Sequence, residues 1–361
     1  MGENGRIPLP KPGPPMQRLA GWMLTWLFAA SSALGQAPAK DRLEESVDKA
    51  LVFLANMQEK DGSWGAFSEK NTAITGLAVM AFLSAGHVPG EGPYGDHVEK
   101  GIRWIASRQQ PNGVLAMEGS GGISMYHHGI CTMVLAESIG MCDAKLTKEL
   151  RPKLTKAVEV ILKAQRVQPG IYQGGWRYQP DQQDADLSVT GWQMLALRAA
   201  KNAGCDVPGE RMEMAVGFLK NCRDVQSGGF TYIPGGRITK ACTGTAILGF
   251  ELVGKNLHHA PESLQAGSYL LKNPLVWNDE HFFYSSYYVS QALFQLGNNY
   301  WNLHKTNMHK LLFAHQQTNG SWLANEGYGP VYATSMAVLA LTVEYRYLPI
   351  YQRDEGPAPK K

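Results

Sequence analysis

Between Lys49 and Gly65 the chain reads KALVFLANMQEKDGSWG: apolar residues at helical spacing, then a break at Asp61-Gly62 with Gln58 before it and Trp64 after it. The pattern returns along the chain. KGIRWIASRQQPNGVL (100–115) keeps the apolar pair, the Gln and an Asn-Gly break. KAVEVILKAQ (156–165) is followed, after an insertion, by QGGWRY (173–178). MAVGFLKNCRDVQSGGFTY (214–232) has Arg223 in place of Gln and Phe230 in place of Trp. LQAGSYLLKNPLVW (264–277) is a worn copy, and HKLLFAHQQTNGSWL (309–323) restores the full form. Copies spaced at roughly fifty residues mark a repeat architecture.

Each copy is followed by a stretch with few charges and many small residues: NTAITGLAVMAFLSAG, MYHHGICTMVLAESIG, LSVTGWQMLALRAAKNAG, TKACTGTAILGFELVG, YSSYYVSQALFQLG and VYATSMAVLALTVEY. Most end at Gly, as helix C-termini do. A helix apolar all round is buried, whereas its amphipathic partner faces water on one side. The pattern therefore predicts an all-α protein: six helix hairpins in an (α/α)6 toroid. The helices carrying Ala78, Met133, Met194, Ile247, Ala292 and Val338 form its inner ring. Gly62, Gly113 and Gly320 supply positive φ where an outer helix ends, and Gln and Trp brace the turn. In this reading the Gln–Gly–Trp unit is a stability device.

An aromatic–aliphatic pair, Gln, then Gly-x-Trp resembles the QW repeat. On these residues the segment from about 41 to 347 is similar to the squalene–hopene cyclase and protein-prenyltransferase β-subunit superfamily, as a single-toroid member. The resemblance implies the toroid fold and, as an expected partner, an apolar isoprenoid-like small molecule.

Composition narrows the classes. Lys plus Arg (34) nearly balances Asp plus Glu (31), so no electrostatic footprint for nucleic acid exists. Five scattered cysteines without CxxC are not a disulfide framework. MGENGRIPLPKPGPPMQR is followed by the uncharged LAGWMLTWLFAASSALGQA, in the order of a secretory signal. Residues 1–37 are expected to be a signal peptide, cleaved close to Gln36 or Pro38. The competing reading is a membrane anchor through residues 19–37, with association at a membrane surface. Residues 38–350 are assigned to the toroid and 351–361 to a disordered tail.

Inner helices that run the same way bring their N-terminal ends, with unpaired N–H groups, to one mouth. Candidate residues cluster there. In DQQDADLSVTGW, the resemblance to squalene–hopene cyclases, which carry Asp-x-Asp-Asp with the middle Asp as proton donor to an alkene, marks Asp184 and Asp186 as catalytic candidates. Leu187 replaces the last Asp. The competing reading makes Asp186 a helix N-cap. A protonating role requires the two carboxylates to share a proton. YHHGIC offers His127, His128 and Cys131 at helical spacing, a set chemically suited to zinc or to a buried imidazole pair. The Asp-x-Cys ligand segment of prenyltransferases is not reproduced, so no metal is expected at these residues, and no cofactor. Tyr126, His127, His128, Trp192, Cys242, Tyr284, Tyr288 and Tyr332 are candidate substrate contacts, the aromatics lining a cavity or packing a core.

Three functions compete: an exported cyclase-like or prenyltransferase-like enzyme, a non-catalytic binding or scaffolding toroid, and a carbohydrate-active toroid. An apolar lumen favours the first, a plugged centre the second, and a groove with exposed Trp and two carboxylates the third.

Overall fold

The computed structural model describes residues 41–66, 69–117, 122–253, 257–323 and 327–352. The N-terminal signal or anchor segment and residues 353–361 lie outside the described residues. Among the described residues, twelve α-helices alternate strictly between two rings. The outer ring holds α1 (Arg42–Asn56), α3 (Gly95–Ser107), α5 (Ala144–Ala164), α7 (Gly209–Asn221), α9 (Pro261–Lys272) and α11 (Asn298–His315). The inner ring holds α2 (Thr72–Ser84), α4 (Ser124–Ile139), α6 (Leu187–Asn202), α8 (Lys240–Leu248, continued by a π-helical turn over Gly249–Val253), α10 (Phe282–Leu296) and α12 (Gly329–Leu341). Each inner helix packs on the next, and α12 packs on α2, so the ring closes. The predicted inner helices are the inner helices, and the six marker residues from Ala78 to Val338 are buried. A two-residue hairpin, β1 (Gly65–Ala66) paired antiparallel with β2 (Glu69–Lys70), is a minor addition.

Burial follows the polarity pattern. Every residue of α2 except Ala73 is buried, whereas α1 buries Val47, Ala50, Leu51 and Leu54, a single helical face. Helix starts are fixed by side-chain caps: Asp41 for α1, Asn71 for α2, Asp143 for α5, Asp186 for α6 and Thr239 for α8. Among the described residues, no helix is long and apolar enough to cross a membrane.

The recurring Gln does more than brace its own turn. Gln58 Nε2 donates to Gly62 O (3.0 Å) and to His97 O (2.9 Å) at the start of the next outer helix. Gln109 does the same to Gly113 O and Lys153 O, and Gln165 to Gly174 O and Arg211 O. Gln316 repeats it with Gly320 O and Ser46 O (2.8 Å), joining the last repeat to the first. The glycine has a matching reason. At Gly62 (φ 92°) a Cβ would stand 2.6 Å from Lys100 O, and at Gly320 (φ 88°) 2.2 Å from Lys49 O. The backbone of one repeat thus lies directly against the next. Where the Gln is lost, another side chain spans the joint: Arg223 reaches Gln265 Oε1 (2.5 Å), and Asn307 reaches back to Leu275 O (2.8 Å). The motif Trp is also fixed, Trp64 Nε1 donating to Leu54 O (2.7 Å) and Trp322 Nε1 to Leu312 O (2.8 Å).

Gln316→Ala removes one set of the hydrogen bonds that join the last repeat to the first and leaves two backbone carbonyls partly unsatisfied. A loss of about 1–2 kcal/mol in urea unfolding is expected. An unchanged midpoint and slope would show that ring closure does not depend on this side chain.

Candidate functional site at the helix N-terminal mouth

The first turns of α2, α4, α6 and α10 are tied together by side chains. Thr72 Oγ1 and His127 Nδ1 are 2.7 Å apart. Tyr126 OH donates to Ser188 Oγ (2.6 Å), and Ser188 Oγ also bonds Tyr284 OH (2.6 Å). The loops before the helices add main-chain bonds, Met125 N to Tyr178 O (3.0 Å) and Leu187 N to Tyr232 O (2.8 Å).

Asp186 caps α6, its Oδ1 accepting from Val189 N at 2.9 Å. Its Oδ2 accepts from Arg177 Nη1 at 2.8 Å, and Arg177 Nε lies 3.1 Å from Asp184 Oδ2. Asp186 is fully buried, while the Asp184 side chain is 44% exposed. Burial raises the Asp186 pKa, opposed by the Val189 amide and by Arg177. The guanidinium packs over the Tyr178 ring at 4.2 Å and also donates to Tyr232 OH at 3.0 Å, and the Tyr178 and Tyr232 hydroxyls bond each other. The arrangement expected for proton sharing between Asp184 and Asp186 is not present. Instead the Arg177 guanidinium stands between the two carboxylates and pairs with each of them.

His127 is buried and His128 has no exposure; burial pushes each pKa down to about 4, so both rings are neutral at pH 7. His128 holds the scaffold. Leu115 N donates to its Nδ1 (3.0 Å), and its Nε2 donates to Ala157 O (3.0 Å). This is the place that Thr75, Thr190 and Thr334 occupy in other repeats, where the Thr hydroxyl accepts from the amide of the motif Trp. Cys131 Sγ donates to Thr72 O (3.3 Å). Cys242 is buried, its thiol pushed up to about 12 by burial. Tyr332 is nearly buried, and its ring contacts that of the exposed Tyr328 at 5.0 Å.

Trp192 and Tyr288 do not line an open cavity. Trp192 stacks on Tyr287 (5.5 Å between centroids, 8° between planes) and meets Tyr288 edge-on at 5.5 Å, while Tyr284 packs on Tyr288 at 4.9 Å. Exposures of 1% for Trp192 and 0% for Tyr287 and Tyr288 leave no water-sized space beside these rings. The opposite end is closed by a 3₁₀ turn, Pro349–Tyr351. The Tyr351 hydroxyl bonds that of Tyr287, Gln295 Nε2 donates to Tyr351 O (2.9 Å), and Ile350 N donates to Glu137 Oε2 (3.2 Å). Tyr351, assigned to the tail from sequence, is therefore part of the core, because the ring needs a floor.

Arg177, Tyr178 and Tyr232 were not among the sequence candidates. A signal for them exists: Trp176-Arg177-Tyr178 and Phe230-Thr231-Tyr232 place a Tyr two residues after the motif aromatic, and both tyrosines end at the mouth.

Residues 6–177 and 177–344 each match the prenyltransferase alpha-alpha toroid domain, and the chain belongs to that family. Among solved structures it is similar to the type II terpene cyclase MstE from Scytonema, with 13% identity, 85% of this chain and 98% of that one covered, and a TM-score of 0.58. It is also similar to cellobiose 2-epimerase from Bacillus thermoamylovorans, with 10% identity, 84% and 99% covered, and a TM-score of 0.62. At these identities the likeness shows the fold alone. No curated protein matches the sequence.

Proposed function

We propose that this chain is a binding toroid that keeps the cyclase–prenyltransferase scaffold without acid-initiated chemistry. One observation carries the reading: the carboxylate placed to protonate an alkene, Asp186, has one oxygen on the α6 cap and the other on Arg177, with no exposed surface. A general acid must be protonated and must touch its substrate. The packed aromatic centre supports the same reading: among the described residues, Trp192, Tyr287 and Tyr288 pack on one another where a polyprenyl chain would fold.

The ligand in this reading is an apolar, isoprenoid-like molecule that meets the rim, where Tyr126, Tyr178, Tyr232 and Tyr284 are half-buried and Tyr328 is exposed. A variant of MstE holding geranylgeranyl dihydroxybenzoate lends support to that ligand class (14% identity, 85% and 98% covered, TM-score 0.53). Export through the N-terminal segment belongs to the same proposal. The carbohydrate-active alternative is not favoured, because the paired carboxylates such enzymes keep free are here joined by Arg177.

The full chain incubated with squalene or geranylgeraniol is expected to return both unchanged on extraction and mass analysis, while retaining one of them through gel filtration. A cyclised product that disappears in Asp186→Asn would overturn the non-catalytic reading. Failure to retain either would overturn the ligand class.

A further inference from the structure

At the end of the inner ring opposite the mouth, the fourth inner helix does not finish as an α-helix. Its last turn widens to the π form over Gly249–Val253, a rare geometry often found at functional positions. Glu251 lies in this turn with its side chain fully buried. A buried carboxylate needs a cation or several donors. Two consecutive histidines supply them. His258 Nδ1 is hydrogen-bonded to Glu251 Oε2, His259 N donates to Glu251 Oε1 (2.9 Å), and His259 Nε2 stands 4.0 Å from Glu251 Oε2.

Consecutive side chains in extended backbone point to opposite sides. Here His259 has φ 55°, a conformation that a non-glycine residue adopts at a cost. Both rings turn to the same carboxylate, with centroids 3.9 Å apart. The three donor atoms lie within 4.8 Å of one another, and the two imidazoles are 47% and 42% exposed. The site is thus fixed on its protein side and open to water on the other.

We propose that Glu251, His258 and His259 form a binding site for a divalent transition metal, zinc being the best match. Two imidazoles and one carboxylate with an open position for water is a known zinc set. Tetrahedral zinc with bonds of about 2.1 Å holds its donor atoms roughly 3.4 Å apart. That spacing falls between the short His258–Glu251 contact and the 4.0 Å His259–Glu251 contact, so rotation of two exposed rings suffices to reach it. The metal takes the place of the hydrogen bond now made between His258 and Glu251. The His259 amide on the other carboxylate oxygen then orients that ligand from outside the metal. Nothing in this site touches Asp186 or the mouth, so it stands independently of the proposed function.

Zinc chloride titrated calorimetrically into the metal-free full chain at pH 7.5 should bind at one per chain. His258→Ala and His259→Ala should each weaken binding about tenfold or more, and the double variant should lose it. Because His258 also supplies a donor to buried Glu251, the melting temperature of each variant without zinc is measured first, and His258→Asn, which keeps an N–H donor, replaces His258→Ala if that variant unfolds. Affinity should fall at pH 5.5, where protons compete for the imidazoles. Zinc should raise the melting temperature of the wild type and leave that of the double variant unchanged. Absence of saturable binding would mean that the three residues form only a hydrogen-bonded cluster, and one-to-one binding that survives in the double variant would place the zinc elsewhere; either result overturns the site.

Discussion

Replacing Arg177 with alanine should destabilise the protein by on the order of 3 kcal/mol at pH 8, the scale for stripping one partner from a buried charge pair. Asp186 has no exposed surface, and its partners at the carboxylate are the α6 amides and Arg177. Without the guanidinium its charged form keeps only the cap, and desolvation drives its pKa further above the unfolded value. A carboxyl whose folded pKa is raised contributes stability at low pH and loses it as pH rises through the folded pKa. The Arg177→Ala deficit should therefore be smaller at pH 5 than at pH 8. Asn caps a helix as well as Asp does and carries no charge. Arg177→Ala combined with Asp186→Asn should thus recover most of the loss, giving a positive coupling in a double-mutant cycle. Urea unfolding of the four proteins at both pH values measures this. A deficit equal at pH 5 and pH 8, or strict additivity, would show that the pair is not a charged one.

Repeats were legible because their cause is local. An apolar period, a Gly at positive φ and a bulky aromatic leave the same imprint in each copy, so the ring and the identity of its inner helices followed. The second bond of each Gln was not legible, because its acceptor, such as His97 O for Gln58, belongs to the next repeat. The site was half legible. Asp184 and Asp186 stand out in the sequence, and Asp186 caps α6. Their partner Arg177 lies on the same α5–α6 connection, but in a repeat position, next to the motif Trp176, that looks like scaffold. Whether Trp192, Tyr284 and Tyr288 line a space or fill it depends on the ring's inner radius, which no residue pattern states. The turn of His259 toward Glu251 depends on one left-handed backbone angle.

Glu137→Gln should change the pH dependence of stability more than any other single substitution at the floor of the ring. Glu137 is 2% exposed, lies in the last turns of α4, and accepts one hydrogen bond, from Ile350 N at 3.2 Å. The carbonyl end of a helix disfavours an anion, and burial pushes this carboxyl up to about 8 from an ordinary 4.5. At pH 6 it is a neutral acid in the folded protein and an anion in the unfolded chain. Its contribution is complete below the unfolded value and is lost as pH rises through about 8. A displacement of this size corresponds to about 4–5 kcal/mol between acid and alkaline limits. Gln keeps the acceptor for Ile350 N without titrating. The variant should match the wild type within about 1 kcal/mol at pH 5 and exceed it by several kcal/mol at pH 9. The anion forms beside the Tyr287–Tyr351 hydroxyl pair, whose pKa values are raised by burial first and by the Glu137 charge in addition. Alkaline loosening should therefore begin at Leu348–Gln352, seen as faster amide exchange at Ile350 in the wild type than in the variant. Parallel stability profiles for the two proteins from pH 5 to 9 would show that Glu137 keeps an ordinary pKa and that the floor is not held by a neutral acid.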